Sequence, residues 1–217
     1  MTAATDGLIE RLAATAQPVR RLRPPLLRAG LWLAAVAAAL AAMVLLFADL
    51  DLFARRASDP KLAVELVFTL LTGILAVIAA FELSLPDRAA AWALLPLPTL
   101  ALWIASSGYS CWRHLLVHGP EGWVIGESAA CLRFILAVSV PLAVSLLILL
   151  RRAAPLTPVR VAAMGGLGVA AIAAFALQFF HPFDVTFMDL AVHLAAVAMF
   201  VAAMAGVARV AQSRSRG

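Results

Sequence analysis

Six long apolar runs divide the chain, at 29–48, 62–81, 89–105, 134–150, 161–180 and 185–208. Each reaches or approaches the ~20 residues that carry a helix across a bilayer core. The first contains no charged residue, and the third carries Pro96 and Pro98, which a membrane helix accommodates with a kink. Gly165, Gly166 and Gly168 lie in the fifth. A Gly-rich stretch can cradle a nucleotide, but no strand precedes this one and no phosphate-binding lysine follows, so it reads as a site of close helix packing. The pattern predicts an all-α membrane protein, a six-transmembrane-helix bundle over 29–208. A segment at 1–28 precedes it, an outer loop at 106–133 interrupts it, and a tail at 209–217 follows.

Composition strengthens that reading. The 217 residues are 64% hydrophobic and 13% charged, with a mean hydropathy of +0.98, whereas soluble chains run near 45–50% apolar and about 25% charged. An ordinary soluble enzyme, a disordered tail and a secreted disulfide scaffold are excluded. The net charge of +5 would suggest nucleic acid if the cations formed a stripe. They instead form short clusters beside the apolar runs, as determinants of membrane topology do, so no direct contact with nucleic acid is expected.

Those clusters orient the bundle. With the N-terminus inside, twelve of the seventeen Lys and Arg residues fall in inner segments and five in outer ones. The positive-inside rule then places both termini in the cytoplasm. The first run starts too late and runs too long for a cleaved signal, so it is expected to remain as a span. The tryptophans at 32, 92, 103, 112 and 123 fall near span ends or in the outer loop, where an aromatic belt would put them.

Residues 1–28 are too few for a folded domain. Thr5 or Asp6 could cap a short helix in which Leu8, Ile9, Leu12 and Ala16 share one face. Pro18 ends it, and Pro24-Pro25 stiffen the approach to the membrane. An isolated helix of that length is marginal in water, so it should fold against a partner's groove or lipid headgroups. The arginines of Val19-Arg20-Arg21-Leu22-Arg23 would serve topology alone, but the apolar face is not explained by topology.

The chain has two cysteines, Cys111 and Cys131, both in or at the edge of the outer loop. On the oxidising side of a bacterial inner membrane a disulfide is permitted. Closing a loop of this size is worth about 3 kcal/mol in the chain-entropy model. The pair reads either as a plain staple or as an exposed dithiol–disulfide switch. His114 and His118 follow Cys111 at helical spacing, and His181 opens the next outer connection. These three are candidate ligands for a metal ion at the outer face, although their spacing matches no zinc-ribbon pattern. Asp189, His193 and Glu65 are ionisable groups at membrane depth, where such groups are usually paired and functional. The inner half offers no continuing polar path, which disfavours a transporter.

The order of motifs is specific. Thr5-Asp6-x-Leu8-Ile9-x-x-Leu12-Ala13, Pro18-Val19-Arg20-Arg21-Leu22-Arg23-Pro24-Pro25, Ser106-Ser107-Gly108-x-Ser110-Cys111, His118-Gly119-Pro120-Glu121-Gly122, Ser128-Ala129-Ala130-Cys131, His181-Pro182-Phe183-Asp184 and Asp189-x-x-x-His193 together resemble the NrsF family of bacterial transmembrane anti-sigma factors. The resemblance covers nearly the whole chain. It implies a regulator rather than an enzyme, one that needs no cofactor and holds an ECF sigma factor at the inner membrane until oxidative or metal stress outside the cytoplasm. It also implies that Cys111 and Cys131 carry the signal and that the sigma-docking segment includes Leu8, Ile9, Leu12, Val19, Arg20 and Arg21. A competing expectation is a thiol oxidoreductase passing electrons from an outer dithiol to quinone. Such an enzyme would normally carry a CxxC motif or two cysteine pairs, and this chain has one widely spaced pair.

Overall fold

The structure, a computed structural model, describes residues 3–15, 22–119, 125–180 and 187–214. All regular structure among them is helical: α1 (Ala3–Thr15), α2 (Pro25–Phe47), α3 (Leu50–Arg56), α4 (Pro60–Leu83), a short 3-10 turn (Ala90–Leu94), α5 (Leu97–His118), α6 (Ile125–Arg151), α7 (Pro158–Leu177) and α8 (Phe187–Arg214). Six of these stretches are long and apolar enough to cross a membrane, and they correspond one to one with the six apolar runs.

Local chemistry sets the boundaries. Pro25, Pro60 and Pro158 each open a helix, where the missing N–H costs nothing because the first turn has no acceptor for it. Asp59 accepts a hydrogen bond from the Lys61 amide at 2.9 Å at the start of α4. Asp49 does the same for Leu52 at 2.9 Å, nucleating α3, a helix that the polar sequence of the connection concealed. Pro96 and Pro98 lie within the third membrane-capable stretch, Ala90–Arg113, and mark a break in its helix. They stand where the 3-10 turn gives way to α5, because each lacks a donor for a preceding carbonyl. Among the described residues, the one proline within a helix interior is Pro141 of α6.

Two further expectations change. The α1 helix already begins at Ala3, so Thr5 and Asp6 lie inside its first turns instead of capping it. The 106–133 segment expected as a loop is largely helical, since α5 runs to His118 and α6 starts at Ile125.

The bundle is built around α7. Of its most apolar stretch 72% is buried, against 11% for α2. It packs on α4, α8 and α6, while α5 lies against α4 and α8, and α2 against α4. The three glycines of α7 make this arrangement physical. A Cβ on Gly165 would meet Leu146 of α6 at 3.2 Å, one on Gly166 would meet Met204 of α8 at 3.2 Å, and one on Gly168 would meet Val77 of α4 at 2.7 Å. Each glycine thus admits a different neighbour, which is the helix-packing role read from the sequence.

Candidate functional site

Two regions at opposite ends of the bundle carry the candidate chemistry. The first lies where the chain enters α2. Residues 5–15 of α1 are all exposed, including Leu8, Ile9 and Leu12, which put an apolar stripe on a helix that the bundle leaves uncovered. Val19, Arg20 and Arg21 lie outside the described residues.

Immediately after this segment, α2 is pinned. The Arg28 guanidinium donates to the Leu149 carbonyl and lies over the Phe81 ring, 5.1 Å from its centroid. Leu149 is in the last turn of α6, whose final carbonyls have no partner within the helix, so a cation there meets both an acceptor and the negative end of the helix dipole. One turn on, Trp32 Nε1 donates to Ser145 Oγ of α6 at 3.0 Å. Trp32 is buried in the bundle here, and Trp103 is buried beside the second region. At the end of α4, next in sequence to Phe81, the buried Glu82 carboxylate meets Arg88 Nε at 3.0 Å, and Ser84 Oγ donates to the Phe81 carbonyl at 2.6 Å.

The second region is at the other end, where α4, α6 and α8 begin and α5 and α7 end. Glu65 and Thr69 of α4 are buried, and Thr69 Oγ1 donates to the Glu65 carbonyl at 2.6 Å. Thr69 of α4, Ser107 of α5, Gln178 just past α7 and His193 of α8 converge on a cavity of about 30 Å³, room for a single water molecule. Glu65 and His193 were expected at membrane depth. Thr69, Ser107 and Gln178 were missed, although the one-turn spacing of Glu65 and Thr69 was a usable signal.

Both cysteines adjoin this region, and both are buried, Cys111 to 1% and Cys131 to 4% exposure. An exposed pair in a loop is therefore corrected to a buried pair on two helices. Cys111 extends the buried stripe Trp103, Ser107 of α5 by one turn. Cys131 begins the stripe that continues through Ile135 and Ser139 of α6, and it packs with Ala173 and Leu177 of α7 and Ala196 of α8. A thiol in such surroundings behaves as a small hydrophobe, and its reactivity is limited by access.

The metal expectation concerns His114, His118 and His181. His181 and the side chains of His114, His118 and Asp189 lie outside the described part of the structure. No group of three or more His, Cys, Asp or Glu residues able to hold a metal ion occurs among the described residues.

A family model described as NrsF, negative regulator of sigma F, matches residues 12–212 of the chain. No curated protein and no solved structure matches.

Proposed function

Since the chain belongs to the NrsF family of negative regulators of sigma F, its partner is a sigma factor, and we propose how the two regions divide the work. The segment 1–28, on the cytoplasmic side of the bacterial inner membrane, sequesters an ECF sigma factor. Oxidative or metal stress outside the cytoplasm acts on Cys111 and Cys131 and releases it. No catalytic step is involved.

The observation that carries the docking half is the uncovered apolar stripe Leu8, Ile9 and Leu12 on α1. A helix-in-groove contact anchors at i, i+3 and i+4 positions, and such a stripe left in water gains nothing for the bundle itself. The basic residues at 20, 21 and 23 add orientation and on-rate more than affinity. The sensing half is supported by placement. Cys131 and Leu149 lie near opposite ends of α6, and Leu149 accepts from the arginine that anchors α2. Eighteen residues of helix span about 27 Å, so one continuous helix, with Pro141 in its interior, joins the thiol end to the root of the docking segment.

Energetics limit the switch. Moving a partner from 99% bound to 1% bound takes about 5.5 kcal/mol of differential stabilisation, more than the roughly 3 kcal/mol of one disulfide. Oxidation of the cysteines alone then gives partial release.

The test is co-purification of the sigma factor with the full chain and with a chain lacking residues 1–23, each in mild detergent. Loss of the partner with an unchanged melting temperature of the bundle is expected. A truncated chain that retains the sigma factor would sink the docking assignment. A full chain whose sigma factor is unaffected by hypochlorite or a thiol-reactive metal would sink the sensing one.

A further inference from the structure

The cavity beside Trp103 gathers polar side chains from four parts of the bundle. Thr69, Ser107, Gln178 and His193 all line it, and Thr69 and Ser107 are only 1% and 5% exposed. It opens where α7 stops while its neighbour continues. The Gln178 amide donates to the Phe175 carbonyl, three residues back, at 3.2 Å, whereas α5 runs on past Ser107 to His118. The single proton of the Thr69 hydroxyl is directed to the Glu65 carbonyl at 2.6 Å. Toward the cavity Thr69 Oγ1 can therefore only accept.

We propose that this cavity is a binding site for one water molecule, which joins α4, α5 and α8 to the end of α7 by hydrogen bonds. Size and chemistry agree. The space of about 30 Å³ clears the roughly 10–15 Å³ that one water requires. Dry cavities are apolar, whereas a buried water takes about two to four polar partners, and four side chains here are polar. The inventory of donors and acceptors closes. A water can donate to Thr69 Oγ1 and to the Gln178 side-chain oxygen, and accept from the Ser107 hydroxyl and a His193 ring N–H. Other occupants fit less well. Among the described residues lining the cavity none is acidic, so a calcium or magnesium ion would meet no carboxylate. An alkyl chain would leave four polar groups facing hydrocarbon.

The consequence falls on α5. That helix lies against α4 and α8, and in lipid such contacts rest mainly on dispersion and interhelical hydrogen bonds. The water supplies hydrogen bonds of the second kind through Ser107. Cys111 follows on the same buried face, about one turn beyond, so the water helps to set where that thiol stands. Occupancy of the site is independent of what the cysteines do for the sigma factor.

The experiment is X-ray radiolysis of the full chain in detergent, with oxidation of each residue read by mass spectrometry. Hydroxyl radicals form from a bound water as well as from bulk solvent, and a dissolved scavenger removes only the second kind. Trp112, 60% exposed, should lose most of its oxidation when the scavenger is added. Trp103, 8% exposed and on the cavity wall, should keep its rate. Trp32, 5% exposed and at the opposite end of the bundle, should stay at background throughout. Ser107→Leu, which fills the cavity, should bring Trp103 down to the level of Trp32. Thr69→Val and Ser107→Ala give a second reading that does not depend on that variant folding. Because both lose the same water, they should be non-additive by at least about twofold in the unfolding equilibrium. Oxidation of Trp103 no greater than that of Trp32, a scavenger effect on Trp103 equal to that on Trp112, an unchanged Trp103 rate in Ser107→Leu, or additive single variants would each overturn the site.

Discussion

Gly73 of α4 and Gly168 of α7 face each other across a close contact between the two helices. A Cβ on Gly168 would stand 3.1 Å from the Gly73 carbonyl oxygen and 3.0 Å from the Val77 amide nitrogen. These are backbone atoms, which cannot rotate aside as a side chain can. Two helices that approach this closely gain van der Waals contact, the main force available between helices in lipid. Gly168→Ala is therefore expected to lose about 1–3 kcal/mol, as overpacking does elsewhere. Gly30→Ala, where an added Cβ meets nothing within 4 Å, should be neutral or slightly stabilising through helix propensity. Thermal melts of the two variants in one detergent would decide it, and equal melting temperatures would contradict the packing.

How far the sequence announced this is instructive. The six helices and the packing role of the glycines were legible because length and small-residue content do not depend on context. Which face of each helix is buried was not. In lipid the outer surface is as apolar as the core, so Leu45, Leu46 and Phe47 are exposed while Ala29 is buried, the reverse of a soluble pattern. The cysteines were misplaced for a related reason. Polar and charged neighbours marked 106–133 as loop, whereas the four-residue steps from Trp103 to Ser107 to Cys111, and from Cys131 to Ile135 to Ser139, mark one buried face of each helix. The α3 helix was hidden by its short length, and its signal was the capping Asp49.

Ala154, just past the end of α6, has φ of 45°. This left-handed conformation costs an L-residue with a Cβ roughly 1–2 kcal/mol. Glycine adopts it freely, so Ala154→Gly should raise stability despite the extra entropy of the unfolded chain. The expected gain is several tenths to about 1 kcal/mol, read as a higher melting temperature. A fall would mean that the turn is not held in this conformation.

The pair Glu82–Arg88 joins a carboxylate that is 3% exposed to a guanidinium that is 41% exposed. Breaking such a pair from the exposed side leaves a buried charge without compensation. Arg88→Ala should therefore cost more than Glu82→Gln, by about 1–2 kcal/mol after allowing for the solvent that screens the arginine. Adding Glu82→Gln to Arg88→Ala should restore part of the loss. Denaturation of the three variants gives the comparison, and an additive double variant would show that the two side chains do not act as a pair.

Burial of the thiols makes a kinetic prediction. In sealed membranes, maleimide should modify Cys111 and Cys131 at least about tenfold more slowly than a cysteine introduced by Trp112→Cys in a Cys111→Ala/Cys131→Ala background, since Trp112 is 60% exposed. Fast labelling of both native cysteines would place them at the surface and remove the access barrier.

The last prediction concerns how a change at Cys131 could reach the N-terminal segment. The Arg28–Leu149 hydrogen bond, the Trp32–Ser145 hydrogen bond and the Arg28–Phe81 contact are the described side-chain links from the root of α2 to its neighbours. Arg28→Leu removes two of them while leaving residues 1–27 intact. If sigma binding resides in that segment, affinity should change by less than about threefold, well under 1 kcal/mol. If the signal travels along α6, release on oxidation should nonetheless be lost, because movement of the Leu149 end no longer drags α2. Arg28→Lys should not rescue it, since a compact ammonium cannot both lie over Phe81 and donate to the carbonyl. A binding assay before and after hypochlorite separates the outcomes. Normal release from Arg28→Leu would exclude α6 as the route. Loss of binding before any oxidant would instead show that Arg28 belongs to the docking surface itself.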